Sequence, residues 1–169
     1  MGNQQERSLP WFTGVMEAEG SISVQVYTLP DGRVRLTPFV CIVNTDKGIL
    51  DECFATMVEL TKEGKFAGPR WCGHAGTNKP CHTVRVDGPS VKPILEAMLP
   101  HMRSEKRRNA EVVLEYLKIR DETLLIRDKL GRVQRKGYTH KEIEMICSIR
   151  THKMAKSSEA ICSAPNVIG

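Results

Sequence analysis

The stretch from Trp11 to Ser21 places the tightest constraint on the fold, because it joins a helix directly to a strand. Its first six residues are mostly apolar, two carboxylates follow at Glu17 and Glu19, and Gly20 comes next. A glycine there predicts a left-handed helix cap, since glycine adopts that conformation at no steric cost. After Gly20 the hydrophobic period changes from helical to two, which is typical of a strand. The sequence therefore predicts a helix followed at once by a strand.

Both ends of this helix carry further signals. Ser8 is a candidate N-terminal cap, and Pro10 is acceptable in the first turn. Gly14 and Ala18 are four residues apart on one face, so a second helix could approach closely there. Glu19 lies in the last turn, where a carboxylate faces the negative end of the helix dipole and is disfavoured unless a cation lies beside it. A bound divalent cation and a merely solvated acidic helix end both stay open.

Two strands of alternating polarity are predicted after the helix. Their buried faces are predicted to hold Ile22, Val24, Val26, Val34, Leu36, Val40 and Ile42, with a turn at residues 30–32. The outward faces carry no acids and several side chains that hydrogen-bond to base edges and phosphates: Ser23, Gln25, Tyr27, Arg33, Arg35 and Thr37, with Phe39 and Cys41. A simply solvated face is the ordinary alternative. Pro38 predicts a bulge or an unpaired backbone position.

A helix and a second hairpin come next. Residues 44–47 supply cap residues for a helix of about fifteen residues with an apolar stripe. The hairpin is predicted over residues 70–74 and 82–86, with Val84 and Val86 toward the core and Thr83 and Arg85 opposite. Four potential metal ligands flank its tip in a spacing that is not a standard zinc pattern: Cys72, His74, Cys81 and His82. A zinc site, a Cys72–Cys81 disulfide and ordinary hairpin residues are the alternatives, and ordinary residues are favoured.

The C-terminal part of the chain is predicted to be helical and basic. Helices are predicted over residues 90–98, 104–118 and 139–155. Residues 101–156 carry 15 Lys+Arg against 8 Asp+Glu, a balance of +7, whereas residues 1–100 carry 10 against 11. This asymmetry favours a polyanionic partner such as nucleic acid, although a solvated helical surface carries the same signal. The basic turn at 106–108 opposes the dipole of its own helix, and two such violations, here and at Glu19, indicate a functional site.

Length and composition are consistent with one intracellular domain. The 169 residues are enough to bury a substantial core. The six cysteines are scattered, which argues against a secreted disulfide framework. The sequence has no apolar run of roughly 18 residues and no signal-peptide pattern. We therefore expect a soluble protein, cytoplasmic or organellar, without a membrane partner.

Residues 12–20, F-T-G-V-M-E-A-E-G, resemble the LAGLIDADG signature, with Glu in place of Asp at positions 17 and 19. The predicted element order is similar to that of single-motif LAGLIDADG homing endonucleases. The resemblance implies an α+β fold of αββαββα order, with a four-stranded antiparallel DNA-binding sheet and extra C-terminal helices. It covers about residues 8–120 of a single domain spanning 1–169 and leaves a helical extension at 121–160. A single motif copy implies a homodimer that meets through Gly14 and Ala18.

The resemblance also implies a catalytic site. Glu19 and the backbone carbonyl of Ala18 would hold Mg²⁺, or Mn²⁺, since Glu is a longer oxygen ligand of the same charge as Asp. Asn44 would position solvent, and Lys106 would stabilise charge or assist the attacking water. Lys47 is a weaker candidate for the accessory basic residue. A helix cap for Asn44 and a plain phosphate contact for Lys106 are the competing interpretations.

The implied activity is hydrolysis of double-stranded DNA at a long pseudo-palindromic site, with a divalent metal. An RNA maturase or a non-cleaving DNA-binding protein on the same fold is the first alternative. An α+β interaction module, whose motif helix serves only as a dimer seam, is the second. The predicted DNA contacts are Ser23, Gln25, Tyr27, Arg33, Arg35, Thr37, Cys41, Arg70, His74, Thr83 and Arg85 on the sheet, with Arg107 and Arg108 on phosphates.

Overall fold

The structure, a computed structural model, describes residues 3–62, 68–73, 81–123, 125–127, 133–135, 137–149 and 164–168. Its helices are α1 (Asn3–Glu19), α2 (Lys47–Thr61), α3 (Val91–Met98), α4 (Lys106–Glu122) and α5 (His140–Ile149), with short 3-10 turns at Gly88–Ser90 and Leu99–His101. Its strands are β1 (Gly20–Thr28), β2 (Val34–Asn44), β3 (Arg70–Gly73), β4 (His82–Asp87), β5 (Leu125–Arg127), β6 (Val133–Arg135), β7 (Tyr138–Thr139) and β8 (Val167–Ile168). The αββαββα order and the mixed α+β class are confirmed.

Four strands form one antiparallel sheet in the order β1-β2-β4-β3. Gly20 pairs with Ile42 across β1 and β2, and Asn44 pairs with His82 across β2 and β4. The turn between β1 and β2 depends on Gly32, whose φ of 79° is the left-handed conformation that favours glycine. The predicted four-stranded sheet is therefore correct, including its first turn.

One face of the sheet forms the core with the helices. The predicted inward residues Ile22, Val24, Val40, Ile42 and Val84 are all buried. Helices α1 to α4 contact this face, and they contribute fully buried side chains at Phe12, Met16, Leu50, Leu95 and Val113. Because the helices cover only this face, the other face of the sheet holds the alternating polar side chains.

The role predicted for Gly20 is wrong, and the structure supplies a different one. The described glycines with positive φ are Gly32 and Gly88, so Gly20 is not a left-handed cap. It is already the first residue of β1, and a Cβ there would lie 2.5 Å from the Met16 side chain and 2.7 Å from its carbonyl oxygen. Glycine is needed because α1 passes into β1 without a loop and leaves no space for a side chain.

Helix α1 begins earlier than predicted. It starts at Asn3 rather than after a cap at Ser8, so Pro10 lies inside the helix instead of in its first turn. Proline removes one backbone N–H donor from the helix interior. In the turn after it, the hydroxyl of the buried Thr13 side chain finds a partner within the helix by donating to the Leu9 carbonyl at 2.9 Å.

Tyr116 of α4 and two residues after position 121 bind backbone groups at the unpaired start of β2. β4 pairs with β2 only from Phe39 onward, so the first residues of β2 lack a partner strand on that side. The Asn166 side chain accepts from Val34 N at 2.9 Å and donates to Val34 O at 2.8 Å. The Tyr138 hydroxyl accepts from Leu36 N at 3.1 Å, and Tyr116 donates to Leu36 O at 3.5 Å.

These contacts explain why β2 accommodates a proline at position 38. Val34 and Leu36 direct their backbone groups toward the C-terminal residues, so Pro38, two residues further, points its nitrogen toward the same side. It precedes the first β2–β4 pair, and its register with Val24 on β1 is unbroken. The bulge alternative is therefore wrong, while the missing donor falls where β4 provides no strand partner.

The C-terminal extension also contains elements that were not predicted. β5 pairs with β6, and β7 pairs in parallel with β8, although only helices were expected there. Beside them, Arg120 of α4 and Glu142 of α5 form an almost fully buried ion pair at 3.3 Å, with Glu142 also accepting from Thr139 N at 2.8 Å. The final helix is described as far as Ile149, and its predicted continuation to 155 lies outside the described residues.

The hairpin alternatives that involve cysteine are not supported. Cys72 and Cys81 are both free thiols, and the register pairs Cys72 with Thr83 rather than with Cys81. His74 lies outside the described residues, and among those described no group of three or more His, Cys, Asp or Glu side chains could hold a metal ion. Across the described part of the chain, no helix is long and apolar enough to span a membrane.

Candidate active site

Three predicted site residues lie at one end of the sheet. Ala18 and Glu19 are the last residues of α1, and both are exposed. Asn44 is the last residue of β2, two positions beyond Ile42, which is the partner of Gly20. Because α1 passes directly into β1, the end of α1 and the end of β2 lie at the same end of the sheet. Within the described residues, Glu19 makes no ion pair.

Lys106 reaches the same place from α4. Its ammonium group donates to the carbonyl oxygens of Glu17 at 2.7 Å, Met16 at 3.1 Å and Ala18 at 3.5 Å. These are last-turn carbonyls without helical partners, and a cation there interacts favourably with the helix dipole. Lys106 thus opposes the dipole of its own helix while it stabilises the end of α1. The structure brings it beside one of the two predicted metal ligands.

Glu17 completes a reciprocal contact between the same two helices. Its carboxylate accepts from the backbone N–H groups of Ser104 at 2.5 Å and Arg103 at 2.6 Å, just before α4 begins. The Ser104 and Arg103 N–H groups hold the pKa of the Glu17 carboxyl below its ordinary value of 4.5. We call the Glu17–Ser104 and Lys106–α1 contacts the interhelical clasp. The sequence interpretation missed Glu17, although the same dipole argument applied to it as to Glu19.

Asn44 already has a local role. Its side-chain oxygen accepts from the Asp46 N–H at 2.9 Å, and Asp46 in turn caps α2 by accepting from Gly48 N at 2.8 Å. Asp46, rather than Asn44, is therefore the N-terminal cap, and the Asn44 side-chain amide has its N–H groups left for another partner. Lys47 is less suited to catalysis, because its ammonium pairs with Asp51 at 2.7 Å.

The polar face of the sheet carries most of the predicted DNA contacts. Cross-strand pairs such as Tyr27 with Arg35 and Gln25 with Thr37 place these side chains on one surface. Those that are half-buried are Ser23, Gln25, Thr37, Cys41 and Arg85; those that are exposed are Tyr27, Arg33, Arg35 and Arg70. Burial raises the pKa of the Cys41 thiol, so it is protonated at neutral pH. Arg33 is held to Asp31 in the turn at 2.6 Å.

Of the DNA contacts predicted on this face, the one at Thr83 is corrected by the structure and the one at His74 stays a prediction. Thr83 is buried rather than accessible, and its hydroxyl has no hydrogen-bond partner among the described residues, so it is unsuited to contact DNA directly. His74 lies outside the described residues. Arg107 and Arg108 are exposed in the first turn of α4, and Arg107 pairs with Glu111 at 3.0 Å.

Asp87 is a polar residue of this face that the sequence interpretation missed. It is the last residue of β4 and pairs with Phe39, so it points to the same side as Arg85 and Arg70. Its carboxylate accepts from Arg85 Nε at 2.7 Å and from Arg70 Nη2 at 2.8 Å. The sequence does contain a signal for this contact, because Asp87 follows Arg85 by two residues and therefore lies on the same face of the strand.

Among the described residues, none covers the outer face of α1. Trp11, Gly14 and Ala18 are exposed, while Phe12 and Met16 on the opposite face are buried. A Cβ placed on Gly14 would have no atom of the described residues within 4 Å. The face therefore combines an exposed aromatic ring with small residues, as a close helix–helix contact requires.

The donors at the end of α1 suit a hard divalent cation. Glu19 offers a carboxylate and Ala18 a carbonyl oxygen, which are the ligand types that Mg²⁺ and Mn²⁺ prefer. Within the described part of one chain, these two are the donors found at the end of α1, fewer than an octahedral ion needs. A second copy related by a two-fold axis along α1 would double the set, and waters and phosphate oxygens supply the remainder in such sites.

Comparison of the sequence with protein-family models and with curated proteins gives no match. Solved structures do match. The homing endonuclease I-CvuI, in complex with the I-CreI target in the presence of Mg and with DNA not cleaved, has a TM-score of 0.63 at 17% identity over 94% of both chains. The archaeal intron-encoded homing endonuclease I-Vdi141I, complexed with DNA, has a TM-score of 0.64 at 17% identity over 95% of both chains.

A third structure matches differently. The LAGLIDADG meganuclease I-AabMI, bound to uncleaved DNA, has a TM-score of 0.58 at 19% identity, over 95% of this chain and 50% of its own. The present chain therefore corresponds to the whole of I-CvuI and I-Vdi141I in extent, and to half of I-AabMI. The resemblance inferred from residues 12–20 is confirmed at the level of the fold.

Proposed function

Because the chain has the fold of LAGLIDADG homing endonucleases, we propose that it is a site-specific DNA endonuclease that cleaves both strands of a long pseudo-palindromic site with a divalent metal. The observation that carries this proposal is the position of Lys106, whose ammonium contacts the carbonyls that end α1 beside Ala18 and Glu19. A carboxylate, a carbonyl and a lysine converge at one exposed edge. An intron-encoded origin, as for I-Vdi141I, is part of the same proposal.

The unit that acts on DNA is proposed to be a homodimer. The exposed face of α1, with Trp11, Gly14 and Ala18, fits a second copy of itself, and an isologous contact there places two Glu19 carboxylates near the axis. The match to I-AabMI supports a dimer. This chain corresponds to half of the I-AabMI chain, which is therefore long enough for two units of this size. Two-fold symmetry of the protein then requires an approximately palindromic target.

Glu19 and the Ala18 carbonyl of each subunit are the groups that would hold Mg²⁺ or Mn²⁺, and the bound ion would polarise the scissile phosphate and lower the pKa of bound water. Lys106 places a positive charge next to this site, where it stabilises negative charge that develops on phosphoryl oxygens. Asn44 has free amide N–H groups with which to orient the attacking water. The polar face of the sheet supplies the DNA contacts.

The test uses Glu19→Gln in purified protein, with targets selected from a randomised duplex library. Glutamine keeps the side-chain shape but removes the charge that holds a cation, so cleavage in Mg²⁺ should fall by on the order of a hundredfold or more. Specific binding in Ca²⁺ should change little. Glu96→Gln, on an exposed position of α3, is the matched control and should cleave like the wild type.

Full cleavage by Glu19→Gln would contradict the assignment of the metal ligand. A wild-type protein that binds a specific duplex but neither cleaves nor nicks it would instead favour the non-cleaving alternative.

A further inference from the structure

Asp87 is an unexpected residue on a surface that is proposed to meet DNA. Within the described strands β1 to β4, it is the only acidic side chain on the polar face. A carboxylate there raises the repulsion from phosphates, so it weakens binding to all sequences unless it serves another purpose. Its side chain is about three-quarters buried, with 26% of its area exposed, between two arginines.

The carboxylate holds both guanidinium groups at once. Oδ2 accepts from Arg70 Nη2 at 2.8 Å and from Arg70 Nε at 3.1 Å, and Oδ1 accepts from Arg85 Nε at 2.7 Å. Arg70 and Arg85 are directly opposite one another across β3 and β4. The hydrogen bonds with Asp87 also hold the pKa of Arg70 above its ordinary value. One acid therefore sets the orientation of two neighbouring cations.

Arg85 is held on two further sides. Its Nη2 group donates to the Gln25 side-chain oxygen at 2.6 Å, and its guanidinium lies 4.1 Å from the centroid of the Phe39 ring. Only 18% of the Arg85 side chain is exposed, whereas 63% of Arg70 is exposed. A guanidinium stacked on an aromatic ring and bonded at two edges has little rotational freedom left to lose on binding.

The unused donors form the part of each guanidinium that reads bases. Arg70 uses Nε and Nη2 on Asp87, and Arg85 uses Nε on Asp87 and one Nη2 hydrogen on Gln25, so both keep Nη1 and a hydrogen of Nη2. This terminal edge is the fork that donates to O6 and N7 of guanine in the major groove. Asp87 orients the two forks without occupying them.

We propose that Asp87 is a specificity-determining positioning residue, which orients Arg70 and Arg85 to read guanines at two neighbouring positions of each DNA half-site. The inference rests on the proposed function, because it assumes that the polar face of the sheet lies in the major groove. The DNA target would contain a guanine pair in each half-site, and Asp87 would affect the recognition of that pair without contacting a base.

The test compares Asp87→Asn with the wild type by selection from a duplex library randomised over the half-site, in Ca²⁺. Asparagine keeps the shape but offers one acceptor and turns an N–H₂ donor toward one guanidinium, so that arginine is released. Preference for guanine should fall on the order of tenfold at one or both positions. A pure charge effect predicts the opposite result, with tighter binding to every sequence and unchanged base preference.

The chain offers a matched control for the charge. Asp31→Asn also removes one carboxylate that pairs with an arginine, Arg33, but on the exposed turn between β1 and β2. It should leave the guanine preference at the two positions assigned to Arg70 and Arg85 unchanged. Arg70→Lys and Arg85→Lys keep the positive charge and lose the fork, so each should reduce guanine preference at a different position.

The outcomes separate the two proposals. A wild-type protein without any sequence preference for duplex DNA would contradict the proposed function itself. A wild-type guanine preference that persists in Asp87→Asn, or in both lysine variants, would overturn the positioning role alone. If Asp87→Asn fails to melt cooperatively, the lysine variants at exposed Arg70 and at Arg85 decide the question.

Discussion

At the scale of single residues, the interhelical clasp links two features that look unfavourable in isolation. Glu17 lies near the negative end of the α1 dipole, and Lys106 lies near the positive end of the α4 dipole. Each is stabilised by the other helix, because Glu17 binds the N–H groups before α4 and Lys106 binds the carbonyls that end α1. The pair holds the Lys106 ammonium beside Ala18.

The clasp predicts a pH dependence. The folded pKa of Glu17 is depressed, so its stabilising contribution is present above the unfolded pKa of about 4.5 and is lost as pH falls through the folded value. Glu17→Gln cannot lose this charge. Chemical denaturation at pH 7 and at successively lower pH should therefore show a smaller acid-side loss of stability in Glu17→Gln than in the wild type.

Glu105→Gln, which changes an exposed acid in the same region, should retain the wild-type pH profile. Parallel acid-side slopes for the wild type and Glu17→Gln would show that the two backbone hydrogen bonds do not depend on the charge of Glu17.

At the scale of secondary-structure elements, the C-terminal residues complete the sheet that β4 leaves short. Asn166 serves both backbone groups of Val34 across a separation of 132 residues. A side-chain amide, which carries an acceptor and two donors, imitates the edge of a missing strand at this point. The contact joins the end of the chain to the strand that carries Arg35 and Thr37.

Removing this side chain should destabilise the protein. Asn166→Ala leaves the Val34 N–H and carbonyl without their partner, and the expected loss is about 1–3 kcal/mol in the free energy of unfolding. Asn166→Asp can still accept from Val34 N but places a carboxylate oxygen against the Val34 carbonyl oxygen, so it should also lose stability. Equilibrium denaturation in urea measures both. Equal stability of all three proteins would mean that water replaces the amide fully.

Local sequence patterns were enough to predict the elements from α1 to α4 and the inward and outward faces of β1 and β2. Ile22 and Val24, like Val40 and Ile42, are buried where alternation placed them. The seal by Asn166 and the pairing of Asp87 with two arginines were beyond such reasoning, because both depend on contacts between distant segments. Gly20 was misread because its function depends on its distance to Met16 rather than on its own dihedral angles.

The candidate site was predictable to a similar extent. The end of α1 and Lys106 do come together, as the family resemblance implied. The resemblance could not indicate that Asn44 first bonds to Asp46 N, or that Thr83 is buried, since both depend on how the strand ends pack. Side-chain accessibility within a polar face depends on its neighbours, so alternation alone overestimates the number of available contacts.

At the scale of the whole molecule, Gly14 tests the proposed dimer. No described residue lies within 4 Å of a Cβ at Gly14, so Gly14→Leu should fit the protomer and improve its helix propensity by roughly 1 kcal/mol, while blocking the approach of a second α1. We expect a monomer by analytical ultracentrifugation, with cooperative melting and no double-strand cleavage. Ala55→Leu, on an exposed position of α2, is the control and should remain dimeric.

A dimeric Gly14→Leu variant with full activity would place the contact between subunits elsewhere on the surface.

The absence of a loop between α1 and β1 has a mechanical consequence. Because Glu19 ends α1 and Gly20 begins β1, no loop residue separates the helix from the strand, and a reorientation of one element carries the other with it. If two subunits meet along α1, each DNA-binding sheet is held at a fixed distance and angle from that contact. The dimer would then accept only one spacing between the two half-sites. One additional base pair, which shifts a half-site by about 3.4 Å and rotates it by roughly a tenth of a turn, would put it out of reach of the second subunit.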